Sequence, residues 1–213
     1  MAPDNLLTWS LVVPVKVLAR AKSRLVGLVD EERAALALAM AADTVAAALA
    51  SPSVRAVIAV SDDPLVRDTL SALGALVIPD RPGAGLNAAL AFGAQFAAAR
   101  WPDLGLAAIT ADLPALATAE LTTALNSASA VTQAFVADAA GTGTTLYAAG
   151  QAGAFCPRFG PQSSDSHRRA GAAELDLPAI SGLRRDVDTL ADLRIAASIG
   201  VGPRTARILA RTG

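Results

Sequence analysis

Three aspartates in this 213-residue chain stand where carboxylates could bind a hard cation. Asp112 follows an apolar run and precedes Pro114, while Asp186 and Asp188 are two residues apart in an extended segment, which places both side chains on one face. Adjacent like charges repel unless a cation compensates them. We therefore predict that the three carboxylates bind a hard cation and that this ion contacts phosphate oxygens. The alternatives are a turn cap for Asp112 and a helix cap for Asp188, with neighbouring arginines neutralising the pair.

Cations follow the first apolar run of the chain. Both lysines of the sequence, Lys16 and Lys22, lie there, and Arg24 comes shortly after them. Cationic side chains and backbone N–H groups at the end of a strand suit a triphosphate, and a compact ammonium is useful against phosphate. The spacing fits neither the P-loop nor the dinucleotide fingerprint. We interpret the three side chains as nucleotide-binding, and a solvated basic loop is the alternative.

Two glycine-rich loops with hydroxyl side chains occur in the second half of the chain, at 138–145 and 159–165. Their backbone amides and hydroxyls could hold the phosphate and carboxylate of a small acid, although the first loop could also be a simple hairpin turn. The only histidine, His167, is predicted to be an exposed helix residue, and Cys156 a buried small apolar one. These two residues form no convincing pair of nucleophile and base.

Short β-rich runs alternate with longer alanine-rich and leucine-rich runs, which is typical of repeated βα units. The strand sequences are almost continuously apolar, as in a mainly parallel sheet that is covered on both faces. We predict strands at 10–17, 54–60, 75–78, 106–109 and 131–136, and an antiparallel strand at 145–148. Helices are predicted at 31–50, 64–73, 86–100, 118–127, around 166–174, 189–199 and 204–211, the first two capped by Asp30 and Asp63. The fold class is therefore α/β, with ligand contacts beyond the carboxyl ends of the strands.

Composition limits the function classes. A chain of 213 residues with 53% hydrophobic residues can bury one core, so we expect a single domain over residues 1–213. The net charge of −1 and the 4% of aromatic residues argue against a nucleic-acid partner. The N-terminus has no basic region, and no apolar run reaches the roughly 18 residues of a membrane span. With one cysteine and no internal disulfide, a cytoplasmic location is the expectation.

Taken together, the motifs resemble one family across nearly the whole chain. They are VPVK and AKSRL within 13–25, GLNAAL at 85–90, TADLPAL at 110–116, GTGTT at 141–145, FGPQS at 159–163 and DVDT at 186–189. The sequence resembles the phosphoenolpyruvate or 2-phospho-L-lactate guanylyltransferases of coenzyme F420 biosynthesis. The resemblance implies a Rossmann-like nucleotidyltransferase fold of the glycosyltransferase-A type, with a mostly parallel mixed sheet flanked by helices. It also implies GTP and a small phosphorylated three-carbon acid as substrates, and a product that passes to the next transferase of that pathway.

The resemblance further implies a role for each site residue. The roles fall on Lys22 and Asp112 for catalysis; Thr145, Gly160 and Ser163 for the acceptor acid; Lys16, Lys22, Arg24 and Asn87 for the nucleotide; and Asp112, Asp186 and Asp188 for Mg²⁺. Asp62 is a further candidate for the ribose or base. The GTGTT and FGPQS motifs resemble those of the actinobacterial branch of the family, for which phosphoenolpyruvate is the implied acceptor. The alternatives are 2-phospho-L-lactate, 3-phosphoglycerate or a molybdopterin as acceptor, and a nucleotide-binding domain without catalysis.

Overall fold

Runs of valine, isoleucine, leucine and alanine form the strands, because these side chains can be buried on both faces of a sheet. The computed structural model describes residues 7–20, 22, 25, 27, 29–178 and 180–212. The strands are β1 (Trp9–Pro14), β2 (Val54–Val60), β3 (Leu76–Ile78), β4 (Gly105–Ile109), β5 (Gln133–Ala137), β6 (Thr144–Ala149) and β7 (Ala173–Glu174). Every side chain of β4 and β6 is buried.

The described strands form one seven-stranded sheet in the order β3-β2-β1-β4-β6-β5-β7. Strands β1 to β4 are mutually parallel, and β7 is parallel to β5, whereas β6 is antiparallel to both β4 and β5. The chain adds β2 and β3 on one side of β1 and then returns to place β4 on the other side. A crevice is expected where the strand order reverses in this way, above the carboxyl end of β1. The predicted α/β class and mostly parallel mixed sheet are confirmed.

Helices cover both faces of this sheet. They are α1 (Asp30–Leu49), α2 (Pro64–Ala72), α3 (Leu86–Arg100), α4 (Thr118–Ala128), α5 (Ser163–Arg169), α6 (Leu190–Ile199) and α7 (Pro203–Thr212). Side chains of α1, α2 and α4 form one core with the sheet, and those of α3 form a second core on the opposite face. Gly93 lets α3 lie close to the sheet, since a Cβ there would stand 2.6 Å from Cγ1 of Val12. Within the described residues, none of the helices combines the length and apolarity needed to cross a membrane.

Asp63 caps α2 as predicted and also fixes the loop after β1. Its carboxylate accepts hydrogen bonds from two backbone N–H groups of the first helical turn, at 2.9 and 3.3 Å. The second oxygen accepts from the N–H of Leu18 at 2.9 Å. The predicted cap of α1 was wrong, because Asp30 is already the first helical residue and Val29 occupies the cap position. Asp30 instead lies in a helical first turn, where a negative charge is favourable.

Some predicted bounds differ because apolar runs extend past the sheet. β1 ends at Pro14, and the residues that follow lead into the short 3-10 turn Leu18–Arg20. β5 begins at Gln133, because the exposed Val131 belongs to the turn that follows α4. The antiparallel strand predicted at 145–148 is β6. The end of the helix predicted around 166–174 was wrong, because α5 ends at Arg169, Gly171 with a φ of +88° follows it, and residues 173 and 174 form β7.

The prediction that His167 is exposed was wrong. His167 lies on the inner face of α5 with Ser163 and is fully buried, stacked on Tyr147 with ring centroids 4.8 Å apart. Its Nε2 accepts a hydrogen bond from the backbone N–H of Arg158 at 2.8 Å, so Nδ1 carries the proton and donates to Oγ1 of Thr144 at 3.0 Å. The i, i+4 spacing of Ser163 and His167 was the sequence signal for this inner face.

The predicted burial of Cys156 was also wrong, because its side chain is exposed. Cys156 lies between the short turn Ala152–Ala154 and the loop that leads to α5. The apolar positions of that connection are instead taken by Phe155 and Phe159, which pack against the second core. Larger side chains therefore displaced the thiol from the interior.

We predict that His167 makes the protein less stable in acid. Burial, followed by the charge of Arg158, lowers the pKa of His167 from 6.5 to about 4 in the folded chain. Between these values the unfolded chain binds the extra proton, so the free energy of unfolding falls as the pH drops from 6.5 towards 4. In His167→Phe this part of the slope should disappear, although the variant is less stable at neutral pH. Denaturant titrations at several pH values between 4 and 6.5 measure this slope.

Arg169→Gln is the matched control, because it changes an exposed charge on the same helix. It should retain the wild-type slope. An unchanged slope in His167→Phe would show that the acid sensitivity comes from other groups.

Candidate functional site

A pocket of about 790 Å³ opens at the edge of the sheet where β1, β2 and β4 end. Its volume is within the range of small-molecule sites. The wall includes Pro14 at the end of β1, Val60 at the end of β2 and Thr110 directly after β4. The loops after β3 and β5 and the start of α5 complete it. The crevice therefore lies where the strand order predicted it.

Lys22 joins the two predicted carboxylate segments at one end of this pocket. Its Nζ donates hydrogen bonds to Oδ2 of Asp112 and, at 2.8 Å, to Oδ1 of Asp188. Burial acts to lower the pKa of Lys22, but the charges and hydrogen bonds of both aspartates outweigh it, and the net pKa is raised. The side chain of Lys22 is therefore a charged ammonium in the folded protein.

The backbone also ties these segments together. The N–H of Val187 donates to the carbonyl of Asp112 at 3.1 Å, so the strand-end turn and the extended segment 186–188 are held side by side. The cap of α6 is Thr189, whose Oγ1 accepts from the N–H of Asp192 at 3.2 Å. Neither the helix-cap alternative for Asp188 nor the surface-loop alternative for Lys22 therefore describes the structure.

Asp186 is a carboxylate under electrostatic strain. Burial first, then repulsion from Asp112, Asp138 and Asp188, raises the pKa of Asp186 from 3.8 to about 7. The two arginines that precede Asp186 do not neutralise the aspartates, as the alternative interpretation required. The ion pair of Arg184 is with Asp176 and that of Arg185 is with Asp192.

The three predicted metal ligands line the same pocket but do not form a ready-made metal cage. Among the residues that the structure describes, no three carboxylate, histidine or cysteine side chains are arranged to hold an ion together. The ammonium of Lys22 lies between Asp112 and Asp188 instead. Oδ1 of Asp112 is nevertheless buried and has no hydrogen-bond partner in the described part of the chain. The metal role of the aspartates stays a prediction.

The first glycine-rich loop is a hairpin turn rather than an open cradle of amides. The carboxylate of Asp138 accepts the backbone N–H groups of Thr142 at 2.9 Å and of Gly143 at 2.8 Å, so these two amides are already used. Thr142, Gly143 and Thr144 line the pocket. Thr145, the residue predicted to bind the acceptor, is buried, and its Oγ1 lacks a partner among the described residues. Its role stays a prediction.

The second loop carries the other two predicted acceptor residues. Gly160 and Ser163 both line the pocket. Gly160 has a φ of +140°, a conformation that favours glycine over residues with a side chain. Ser163 is the first residue of α5. The structure thus places the two loops on the same wall, near Asp186 and Asp138.

Asn87 holds this second loop in place. Its Nδ2 donates to the carbonyl of Phe159 and its Oδ1 accepts from the N–H of the same residue, both at 2.9 Å. The hydrogen bond from Arg158 to His167 secures the preceding residue. Asn87 therefore has a positioning role that its place in GLNAAL did not reveal, and its predicted contact with the nucleotide stays a prediction.

Lys16 and Arg24 are the remaining candidates for nucleotide binding. Lys16 is exposed and lines the pocket. Arg24 lies outside the described residues. Sequence reasoning missed Asp80, which follows β3 and lines the pocket near Gly85 and Leu86. The signal was available, since Asp80 stands after its strand much as Asp112 stands after β4.

Similar proteins have the same fold. A crystal structure from Desulfovibrio desulfuricans, provisionally assigned as a nucleotide-diphospho-sugar transferase, superposes with a TM-score of 0.71 over 95% of this chain and 94% of the other, at 19% identity. At that identity the likeness establishes the fold alone. It agrees with the nucleotidyltransferase architecture that the motifs implied.

Sequence comparison finds relatives of much higher identity. Phosphoenolpyruvate guanylyltransferase of Thermomonospora curvata is 56% identical over 208 residues, which cover 98% of this chain and 91% of the relative. The protein of the same name from Streptomyces scabiei is 55% identical, covering 96% of this chain and 97% of the relative. The family model described as "Guanylyl transferase CofC like" matches residues 9–167. This chain, with its lysine and aspartates at the sheet edge, belongs to the CofC-like guanylyl transferase family.

Proposed function

We propose that the protein transfers GMP from GTP to phosphoenolpyruvate and releases pyrophosphate. The observation that carries this proposal is the convergence of Lys22 with Asp112, Asp186 and Asp188 at one end of a pocket at the carboxyl edge of the sheet. Family membership supports guanylyl transfer, and the names of the close relatives support phosphoenolpyruvate as the acceptor.

The two halves of the pocket suit two different substrates. The ends of the parallel strands β1 and β2, with Val15, Lys16 and Val60, form an apolar and cationic wall for a nucleotide. The two glycine-containing loops, at 142–144 and 160–163, line the same pocket and are joined to each other, because the N–H of Ser164 donates to the carbonyl of Thr142 at 3.2 Å. We assign the small acid to these loops. Lys22 and the aspartates lie where the phosphates of both substrates would meet.

This phosphoryl transfer requires charge neutralisation and does not require a general base. An oxygen of the acceptor phosphate attacks the α-phosphorus of GTP, the bond from that phosphorus to the bridging oxygen breaks, and pyrophosphate leaves with the electron pair. The attacking oxygen is already anionic, since the second pKa of a phosphate monoester is near 6. The only histidine is buried and neutral. The charged Lys22 offsets the repulsion between the two anions and holds them in line.

The residues fit a hard divalent cation, Mg²⁺ by the preference of carboxylate oxygens. Asp112, Asp186 and Asp188 would hold it. Oδ1 of Asp112 is a buried oxygen that lacks a partner among the described residues, and the strain on Asp186 is what a second positive charge would relieve. A bound Mg²⁺ would supply charge stabilisation of the leaving pyrophosphate. Lys22 is then placed to exchange a carboxylate partner for a phosphate oxygen.

The substrate assignment predicts a single strong pairing in a pyrophosphate-release assay. GTP with phosphoenolpyruvate should give the highest kcat/KM when each of GTP, ATP and CTP is combined with phosphoenolpyruvate, 2-phospho-L-lactate and 3-phosphoglycerate. Activity with ATP or CTP alone would exclude guanylyl transfer. A preference for another acceptor with GTP would correct the acceptor and leave the reaction class intact.

Asp188→Asn should lower kcat by about 100-fold or more, equivalent to about 2.7 kcal/mol of transition-state stabilisation. The substitution keeps the shape but removes a charge that contacts Lys22. Asp68→Asn, an exposed aspartate on α2, is the matched control and should keep wild-type activity. Steady-state kinetics and circular dichroism together separate lost turnover from lost fold. Near-normal turnover of Asp188→Asn would refute its role.

Asp186→Asn should be more stable and yet inactive. The folded-state pKa of Asp186 is raised to about 7, so the wild type loses stability as pH rises from 3.8 to 7, and the loss is complete above 7. An amide at this position avoids that cost. Melting temperatures at pH 8 with EDTA should therefore be higher for the variant, while pyrophosphate release is lost. A lower melting temperature would mean that the carboxylate stabilises the fold instead.

A further inference from the structure

Asp80 occupies the part of the pocket that the carboxylate cluster does not reach. It follows β3 by two residues and is half-buried in the pocket wall. Asp112 and Asp138 follow β4 and β5, and contacts of Lys22 and Val187 hold the segment 186–188 beside Asp112. Asp80 follows β3, which β2 and β1 separate from β4 in the sheet, so among the acids of the described pocket wall it stands apart from that group.

The loop that carries Asp80 is well ordered by its own hydrogen bonds. The backbone N–H of Asp80 donates to Oδ1 of Asp62 at 3.0 Å, and Oδ1 of Asp80 accepts from the N–H of Gly83 at 3.2 Å. These two hydrogen bonds use the backbone N–H and Oδ1 and leave the second carboxylate oxygen, Oδ2, unused among the described residues. The side chain is therefore held at one oxygen and open to a ligand at the other.

The surroundings of Asp80 suit a flat heterocycle. Val60, Leu86 and Ala89 line the same pocket and belong to one hydrophobic cluster with Ile78, the last residue of β3, so they offer apolar contact to the faces of a ring. Leu86 and Ala89 belong to the first turn of α3, which packs on β1 and β2. A carboxylate at the edge of this apolar slot repels a triphosphate unless it meets hydrogen-bond donors of the ligand.

Guanine has the donors that a carboxylate needs. Its N1–H and its 2-amino group are adjacent and point the same way, so they can donate to a single carboxylate. Adenine presents a bare N1 and a C–H at these positions, and cytosine presents an acceptor nitrogen. Hydrogen bonds to a charged group are stronger than those between neutral groups, and losing one leaves a polar group unpaired, which is enough for discrimination between bases.

We propose that Asp80 is the residue that selects guanine, by accepting hydrogen bonds from N1–H and the 2-amino group of the base. This inference rests on the proposed guanylyl transfer and assigns the nucleobase end of that same pocket. Asp62 and Gly83 act as positioning groups, because they fix the backbone and one oxygen of Asp80.

The test is Asp80→Asn with nucleotides that differ only at C2. Asparagine keeps an oxygen for the N–H of Gly83 and places an NH₂ group where Oδ2 was. The kcat/KM for GTP should fall about 10-fold to 100-fold. XTP carries an oxygen at C2 that accepts from this NH₂ group, so the variant should prefer XTP to GTP. In the wild type, ITP, which lacks the 2-amino group, should be about 10-fold poorer than GTP.

Two variants serve as controls. Asp62→Asn weakens the backbone anchor of Asp80, so a merely structural role predicts that Asp62→Asn and Asp80→Asn impair GTP, ITP and XTP equally. Asp68→Asn should leave all three nucleotides at wild-type values. Calorimetric binding of GDP, IDP and XDP repeats the comparison without turnover. It therefore tests base selection even with an inactive preparation.

The outcomes separate this inference from the proposed function. Unchanged preference for guanine over xanthine in Asp80→Asn, by kinetics and by binding, overturns the role of Asp80 and leaves guanylyl transfer standing. No turnover of GTP by the wild type with any acceptor overturns the proposed function, while GDP binding that switches to XDP in Asp80→Asn would still support Asp80 as the base-reading residue.

Discussion

Repulsion among carboxylates is the constraint around which the pocket is built. Asp112, Asp186 and Asp188 face one crevice, and Lys22 compensates two of them by direct hydrogen bonds. Buried like charges are costly, and a fold keeps them only where surrounding structure holds them in place. Here that structure is a backbone hydrogen bond between Val187 and Asp112 on top of a rigid parallel sheet. The cost of holding the charges together is concentrated at the place where a bound cation would relieve it.

The loop that bears Gly160 is organised by neutral groups. Asn87 donates to the carbonyl of Phe159 and accepts from its N–H. His167 accepts a hydrogen bond from the N–H of Arg158 and stacks on Tyr147. These contacts come from a helix and from the core, so they orient the loop bearing Gly160 without an ion pair. A neutral, buried histidine agrees with chemistry in which the attacking phosphate oxygen needs no base.

The order of the strands distributes the lining of the pocket along one edge of the sheet. Strands β3, β2, β1 and β4 are parallel, so the loops that carry Asp80, Lys16 and Asp112 all leave from that edge. Strand β6 is antiparallel to both β4 and β5, so β5 runs in the direction of β4 and its carboxyl end brings the hairpin turn at 138–144 to the same edge. The charged cluster, the apolar side chains beside β1 and β2 and the glycine-rich turn therefore line one pocket.

Much of this was determined by the sequence alone. Continuous apolar runs predict buried parallel strands, the Asp63-Pro64 pair marks the start of α2, and six ordered motifs identify the family, because these signals are local or depend only on order along the chain. Only the tertiary structure decided which partner each side chain meets. That Lys22 bridges residues 90 and 166 positions away, that Asn87 serves Phe159, that His167 is buried and that Asp80 joins the pocket are contacts between distant segments. No periodicity encodes such contacts, since they arise when the sheet brings separate strand ends to one edge.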